Sequence, residues 1–418
     1  LPGLGLTTTR AGHPLPGAPE VSMNATKRYE NFIVFLAPLI NSVGGIAIDL
    51  YAPSIPSIGR ELSASPALMQ NTITITLLFY ALGQLFFGIM ADARGRRPAV
   101  QLGLLVFLAG SVLATVATSI EMLLLARALQ GFAIGACQVV ARALLVDIVK
   151  GPRFYVAIIY LSLAFGLGPV IAPYIGGVIE VHLGWRYNFV LYAVYAVIVL
   201  AFVLAGLKES LPAMNRRSAL QTCAGYRPIL ADSRFRASVV VLGSSFSAFL
   251  LWNVFGPHIV QERLGHSAQY FGTTALAVGS CYLVGTLVNR ALIRQVKPRL
   301  LMWAGMAVFL LGVVTIASQA EDLHLVSILG GIMLVAFGQG FIFSNAMANS
   351  MSLFPDRAGV AASLQGCLML VFGSLASALV SALLLTSNLA IACVFLVLWL
   401  ISLSGMLGVR VQRQASVA

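Results

Sequence analysis

Residues 187–206 read YNFVLYAVYAVIVLAFVLAG, a run without one charged side chain, with Arg186 before it and Lys208 just beyond. At a helical rise of about 1.5 Å per residue the run is about 30 Å long, the thickness of a bilayer's hydrocarbon core. Outward from it, comparable apolar segments fall at 31–52, 70–91, 99–119, 121–144, 155–179, 237–257, 268–289, 300–319, 325–352, 360–385 and 389–409. Composition agrees, because 10% charged and 59% hydrophobic residues leave too few polar groups to hydrate a surface, where a soluble domain carries about 25% charged. The expected fold class is all-α, a polytopic membrane protein of twelve transmembrane helices.

Charge orients the spans. Loops on the side of both chain ends hold most Lys and Arg, among them Arg94, Arg96, Arg97, Lys150, Arg153, Arg216, Arg217, Arg234, Arg294, Arg357 and Arg410, whereas the other side holds Arg60, Arg186 and Arg263. Basic loops stay in the cytoplasm, so both termini are expected there. The net charge of +12 sits in short joins between apolar runs and forms no basic, aromatic-interleaved helical face, which argues against a nucleic-acid partner. Cys137, Cys223, Cys281, Cys367 and Cys393 lack ligand spacing, so neither a metal site nor a disulfide framework is expected. The domain reading is a polar tail at 1–30, a six-helix bundle at 31–206, a cytoplasmic linker at 207–236, a second bundle at 237–409 and a tail at 410–418. Met23 is an alternative start. Two echoes support duplication into pseudo-symmetric bundles. Tyr80-x-x-Gly83 recurs as Tyr282-x-x-Gly285, and Gln130-Gly131-Phe132 as Gln339-Gly340-Phe341.

Against this apolar background Asp49, in Ile48-Asp49-Leu50-Tyr51-Ala52-Pro53, costs several kcal/mol unless it faces protein or water. It reads either as an interfacial acid at a helix end shortened by Pro53 and Pro56, or as a proton or cation site in a central cavity. Arg127 lies at compatible depth in the fourth span, coupled to Asp49 or bonded to helix carbonyls. Gly88-Ile89-Met90-Ala91-Asp92-Ala93-Arg94-Gly95-Arg96-Arg97-Pro98 joins spans two and three, with Gly95 suited to a tight turn and the charges suited to a conformational latch. Arg142 and Asp147 are expected in the same cytoplasmic network. Gly166, Gly168, Pro169, Pro173, Gly176 and Gly177 allow close packing and bending of the fifth span, as passive packing or as part of the switch. Asn41, Tyr51, Tyr80, Gln138, Tyr160, Phe249 and Trp252 are candidates to line a cavity for an amphiphile.

These motifs together resemble the major facilitator superfamily over about residues 30–410, specifically the twelve-span drug:proton antiporters, and look closest to the bicyclomycin/chloramphenicol-resistance (Bcr/CflA) branch. Gly88 to Arg97 resembles its cytoplasmic loop motif, Arg127 with Gln130-Gly131 its fourth-helix motif, Gly166 to Gly177 its antiporter motif, and Asp49 the branch's first-helix acid. The resemblance implies two bundles alternating access to a central cavity, with protons as coupling ion and no cofactor. Asp49 would be the proton-linked group, tuned by Arg127, with Asp92 and Arg96 in the latch. The matching stretch Asn289 to Pro298 lacks an aspartate, so the first half should dominate the switch. Expected function is export of amphiphilic drugs from the bacterial inner membrane by a lipid-embedded monomer. A dedicated exporter of a metabolite or siderophore, and a non-transporting scaffold, are the alternatives. An enzyme is not expected, since no histidine has an acid and nucleophile at useful spacing.

Overall fold

The computed structural model describes residues 20–211, 226–319, 321–354, 358–383 and 385–408. The tail to residue 19, Arg216, Arg217 and Cys223 of the linker, Arg357, and the tail from 409, with Arg410 and Arg413, lie outside the described residues. Twelve helices are long and apolar enough to cross a membrane. They are α1 (Glu20–Asp49), α2 (Pro66–Arg94), α3 (Arg96–Thr115), α4 (Ile120–Ile148), α5 (Pro152–His182), α6 (Arg186–Gly206), α7 (Ser233–Pro257), α8 (Ala268–Leu292), α9 (Pro298–Ala317), α10 (Leu325–Ser352), α11 (Ala358–Ala382) and α12 (Asn388–Gly408). The face where α1 begins and α12 ends is called the near face, and the opposite one the far face. Leu125, Val197, Leu204, Leu379 and Leu400 are exposed, as suits helices solvated by lipid.

Local sequence sets the joins. Ser65, Ser119, Asp232 and Ser267 cap α2, α4, α7 and α8, each side chain accepting from a backbone N–H of the first turn. Between α2 and α3 the whole loop is Gly95, whose φ of +116° lies in the region L side chains avoid.

Packing inside each half follows one scheme. In the first half α4 lies on α1, α2 and α3, while α1 also meets α5 and α6, and α3 meets α6. Adding six to each number gives the second half, where α10 lies on α7, α8 and α9, α7 on α11 and α12, and α9 on α12. The halves meet through α2 on α11 and α5 on α8, pairs that the same shift exchanges. The molecule is therefore two pseudo-symmetric six-helix bundles related by a two-fold axis through the seam.

Glycines fix the register of the repeat. A Cβ on Gly83 would strike the Phe132 carbonyl and one on Gly135 would strike Gly83, just as Gly285 would meet Phe337 and Gly340 would meet Gly285. Likewise Gly103 and Gly110 of α3 lie against α4 where Gly305 and Gly312 of α9 lie against α10. Gly340 thus matches Gly135, one helical turn beyond the Gly131 of the Gln-Gly-Phe echo. Close backbone approach, not the short sequence match, decides which residues correspond.

Both halves break their first helix at the far face. After Asp49 the chain makes a 3₁₀ turn, Ala52–Ser54, and a short helix, Ile55–Glu61, with Pro53 and Pro56 in their first turns. After Pro257 it makes a π turn, His258–Arg263.

Candidate functional site

The break in α1 leaves its last carbonyls without helical partners, a cost that must be met inside the bundle. Arg127 of α4 meets part of it. Its Nη2 donates to the Ala47 carbonyl at 3.1 Å, its Nη1 to Gln130 Oε1 at 2.6 Å, and its guanidinium lies 4.1 Å from the centroid of the Tyr51 ring. The side chain is 0% exposed. Tyr192 Oη donates to the Ala47 carbonyl too, at 3.2 Å, and Gln130 Nε2 donates to Ser111 Oγ at 2.9 Å. A cation at the negative end of a helix is favourable, so the arginine both fills the break and fixes the geometry of the residue two positions on.

That residue is Asp49. It makes no ion pair with Arg127. Its Oδ1 instead accepts from Asn253 Nδ2 of α7 at 2.6 Å, with the two side chains 4% and 5% exposed. Asn253 belongs to a repeat that the sequence reading overlooked: Asp49-Leu50-Tyr51-Ala52-Pro53 returns as Asn253-Val254-Phe255-Gly256-Pro257. The two are pseudo-symmetry mates, and mates in contact straddle the two-fold axis. The carboxyl group therefore bridges the halves directly. Asn253 Oδ1 is buried and has no partner.

Further ties surround this bond on the far side. Thr74 Oγ1 donates to Ser377 Oγ at 2.8 Å, Ser374 Oγ to the Thr74 carbonyl at 3.0 Å, and Gln261 Nε2 to the Pro53 carbonyl at 2.8 Å. At the rim Arg60 faces Glu262 at 3.6 Å, and Glu262 also pairs with His258 Nδ1 at 2.5 Å. Helix α5 serves both halves. Gly168 and Gly176 lie on the backbone of α1, while a Cβ on Gly177 would come 2.7 Å from the Ala268 carbonyl and one on Gly272 would come 2.7 Å from the Pro173 carbonyl. Pro169 and Pro173 lie inside this helix, and Gly166, toward its near end, has no atom within 4 Å of its Cβ position, nor has Gly88.

The near face holds a second network. Arg96 Nη1 pairs with Asp92 at 2.5 Å and its Nε with Asp147 at 3.2 Å, and Ser210 Oγ donates to Asp147 at 2.9 Å. Glu209, a residue no spacing argument singles out, accepts from the N–H groups of Arg96, Arg97, Ser210 and Leu211 at 2.8–3.1 Å. Burial raises the Glu209 carboxyl, but these four donors outweigh it and hold it below its ordinary value. A Cβ on Gly95 would run into this carboxylate. Arg94 is exposed and Arg97 Nη2 reaches the Leu204 carbonyl at 3.5 Å. Arg142 makes no ion pair or hydrogen bond with the network.

The candidate cavity residues do not form one wall. Tyr51 is sealed beneath Arg127 and bonded to Thr72 Oγ1 at 2.7 Å, Trp252 packs between Phe255 and Phe271, and Asn41 Nδ2 donates to the Leu161 carbonyl at 3.0 Å. Gln138 accepts from Gln84 Nε2, and Tyr80, one turn from Gln84, is buried with its hydroxyl unpartnered. Phe249 lies beside Tyr282, ring centroids 5.1 Å apart, and Tyr160 is half exposed on α5.

Two helical bundles about a shared seam, closed at one end by a titratable side chain, define a membrane transporter. The chain belongs to the Major Facilitator Superfamily, whose family model matches residues 39–378. It is 32% identical to the multidrug resistance protein MdtL of Escherichia fergusonii over 320 residues, 76% of this chain and 80% of that one. A protein of the same name from Salmonella paratyphi A is 31% identical over the same shares. Among solved structures it is similar to a D-xylose-proton symporter, with a TM-score of 0.73 at 14% identity over 93% of this chain and 99% of that one. The inward-open xylose transporter XylE from E. coli gives 0.69 at 13%, over 92% and 97%. This is thus a twelve-span, multi-pass small-molecule transporter of that superfamily.

Proposed function

We propose that the chain is a proton-coupled antiporter exporting amphiphilic small molecules by alternating access, within the Bcr/CflA branch, with Asp49 as the proton-linked group. The observation that carries this reading is the Asn253–Asp49 hydrogen bond, which makes an ionisable group part of the seam that must part on the far side. As a carboxylate Asp49 only accepts, and Asn253 Oδ1 stays unmet. As the neutral acid it accepts from Asn253 Nδ2 and turns its own hydroxyl to Asn253 Oδ1, closing a two-bond acid–amide pair. Protonation then favours the far-closed form, and loss of the proton removes one bond from the seam. Arg127, Tyr51 and Tyr192 are the other ionisable groups around Asp49.

In this cycle a proton arriving from the far side closes the far seam and is released toward the near side, after which substrate moves outward. The Arg96 network holds α2, α3, α4 and the linker start as one block during the swing. The skew of Lys and Arg supports a cytoplasmic near face with both termini on it, and the bacterial relatives support the inner membrane as its location. The multidrug relatives support the substrate class. Reconstituted wild-type protein should show solute flux accelerated by an imposed pH gradient, and Asp49→Asn should retain downhill exchange while losing that acceleration. Undiminished proton-driven flux in folded Asp49→Asn would remove Asp49 from the mechanism.

A further inference from the structure

Arg142 is a cation within α4 that neither the far seam nor the near-face network uses. It lies on α4 one turn beyond Gln138 and on the same face, enclosed by protein yet with part of its side chain accessible. Its sequence neighbour Asp147 is taken by Arg96 and Ser210, and among the described residues no carboxylate lies within 4.0 Å of Arg142. Among the described residues Tyr80 is the ionisable side chain in electrostatic reach of Arg142, and its hydroxyl is buried without a hydrogen-bond partner. Beside it Gln84 spends its Nε2 on Gln138 and leaves Oε1 unmet. Gln84 also meets the other half, since a Cβ on Gly366 of α11 would lie 2.9 Å from Oε1. Three polar groups, Arg142, Tyr80 and Gln84, are thus incompletely satisfied, and one is a guanidinium with no counter-ion. An unpaired cation inside a membrane bundle is expensive and marks a site for something that brings the opposite charge.

We propose that Arg142 and Tyr80 form a subsite for the anionic head, a carboxylate or sulfonate, of an amphiphilic organic acid, with Gln84 Oε1 accepting from an adjacent N–H or O–H of the ligand. This names the substrate class for the exporter proposed above and rests on that reading. The rest of the ligand is met by the symmetry-related wall. The register that carries Gly135 onto Gly340 carries Arg142 onto Met347 and Gln138 onto Phe343, and Tyr80 corresponds to Tyr282. Those side chains are half-buried and apolar or aromatic, with the Phe249 ring tilted against Tyr282. One wall therefore offers charge and the other offers an apolar surface, which is the division an amphiphile requires. A guanidinium binds such a head through paired N–H donors, and the tyrosine hydroxyl adds a third.

The probes are dansylglycine and its neutral amide, dansylglycinamide, which share an aromatic body and a sulfonamide N–H and differ in charge. Equilibrium binding is read by dansyl fluorescence to wild-type protein in neutral-lipid nanodiscs, without a gradient, so that failed proton coupling and failed charge selection are seen separately. Wild-type protein should prefer dansylglycine by about tenfold or more, as expected for a charge-assisted hydrogen bond. Arg142→Gln should abolish the preference by weakening dansylglycine far more than dansylglycinamide, and Arg142→Lys should keep part of it. Equal binding of the two probes by wild-type protein, or binding of neither, overturns the proposal without any variant. Preference surviving in Arg142→Gln, or equal loss for both probes, also overturns it.

Discussion

Replacing Asn253 with alanine isolates the cross-half bond. The pair is almost fully buried and 2.6 Å long, so removal forfeits a hydrogen bond to a carboxyl group, worth about 1.5–3 kcal/mol when the acceptor is charged. The neutral ties beside it, Thr74 to Ser377 and Gln261 to the Pro53 carbonyl, are worth about 0.5–1.5 kcal/mol each. Arg60 is 65% exposed, which places its pair with Glu262 at about 0–1 kcal/mol. Asn253 thus contributes as much as two or three of the other ties. At about 1.4 kcal/mol per decade, Asn253→Ala should move the far-closed to far-open ratio about 10–100-fold toward open. Spin labels at Leu183 and Arg263, exposed far-face positions on opposite halves, report the separation in a cysteine-free background. A longer-distance population should grow in Asn253→Ala at neutral pH. An unchanged distance distribution would refute the role of the bond in closing the seam.

Gly177→Ala should shift the same distances toward open, because its Cβ would meet the Ala268 carbonyl at 2.7 Å and that backbone cannot turn aside; Gly330→Ala, whose nearest neighbour is a Thr315 methyl at 4.0 Å, should change nothing. Arg127→Lys keeps the charge and loses the fork that joins Gln130 to the Ala47 carbonyl, so pH-driven flux should fall at least about tenfold, a change of more than about 1.4 kcal/mol. The Glu209 carboxyl is held below its ordinary value of 4.5, so its anchoring of α3 is complete above that pH and is lost as pH falls through the lowered value. Hydrogen exchange at the Arg96 and Arg97 amides, corrected for intrinsic rate, should accelerate at low pH in the wild type and already at neutral pH in Glu209→Gln.

The spans were legible because length and apolarity alone decide whether a helix crosses a bilayer, and α6 declares itself without reference to any other residue. Asp49 and Arg127 stood out for a related reason: a charge in hydrocarbon is costly enough to be conspicuous. Asn253 was not, because an amide in an apolar run is unremarkable and its meaning lies in being the mate of Asp49. The signal was present in the five-residue repeat ending at Pro53 and Pro257. The Gln-Gly-Phe echo misled by one turn, since a three-residue match carries no information about which backbones touch. Tyr51 and Trp252 read as cavity aromatics, yet both are packed away. In a membrane bundle the lining and the core are equally apolar, so composition cannot separate them.

The register set by the glycines carries Arg127 onto Ile332 and Arg142 onto Met347, and the five-residue repeat carries Asp49 onto Asn253, so these three charged side chains of the first half have uncharged mates in the second. That asymmetry follows from the position of Asp49. A residue on a two-fold axis meets its own counterpart, and two aspartates there would face each other as like charges or be forced to share one proton. An asparagine mate avoids both outcomes. It donates to the anion and both donates to and accepts from the acid, so the seam is held in either protonation state with one bond or with two. A symmetric scaffold can then respond to a single proton, because the difference between its two closed forms is concentrated in one pair. Restoring symmetry with Asn253→Asp should therefore spread the pH dependence of far-side opening over two protonation steps in the same spin-label measurement. A single step, unshifted from wild type, would show that the pair does not govern the seam.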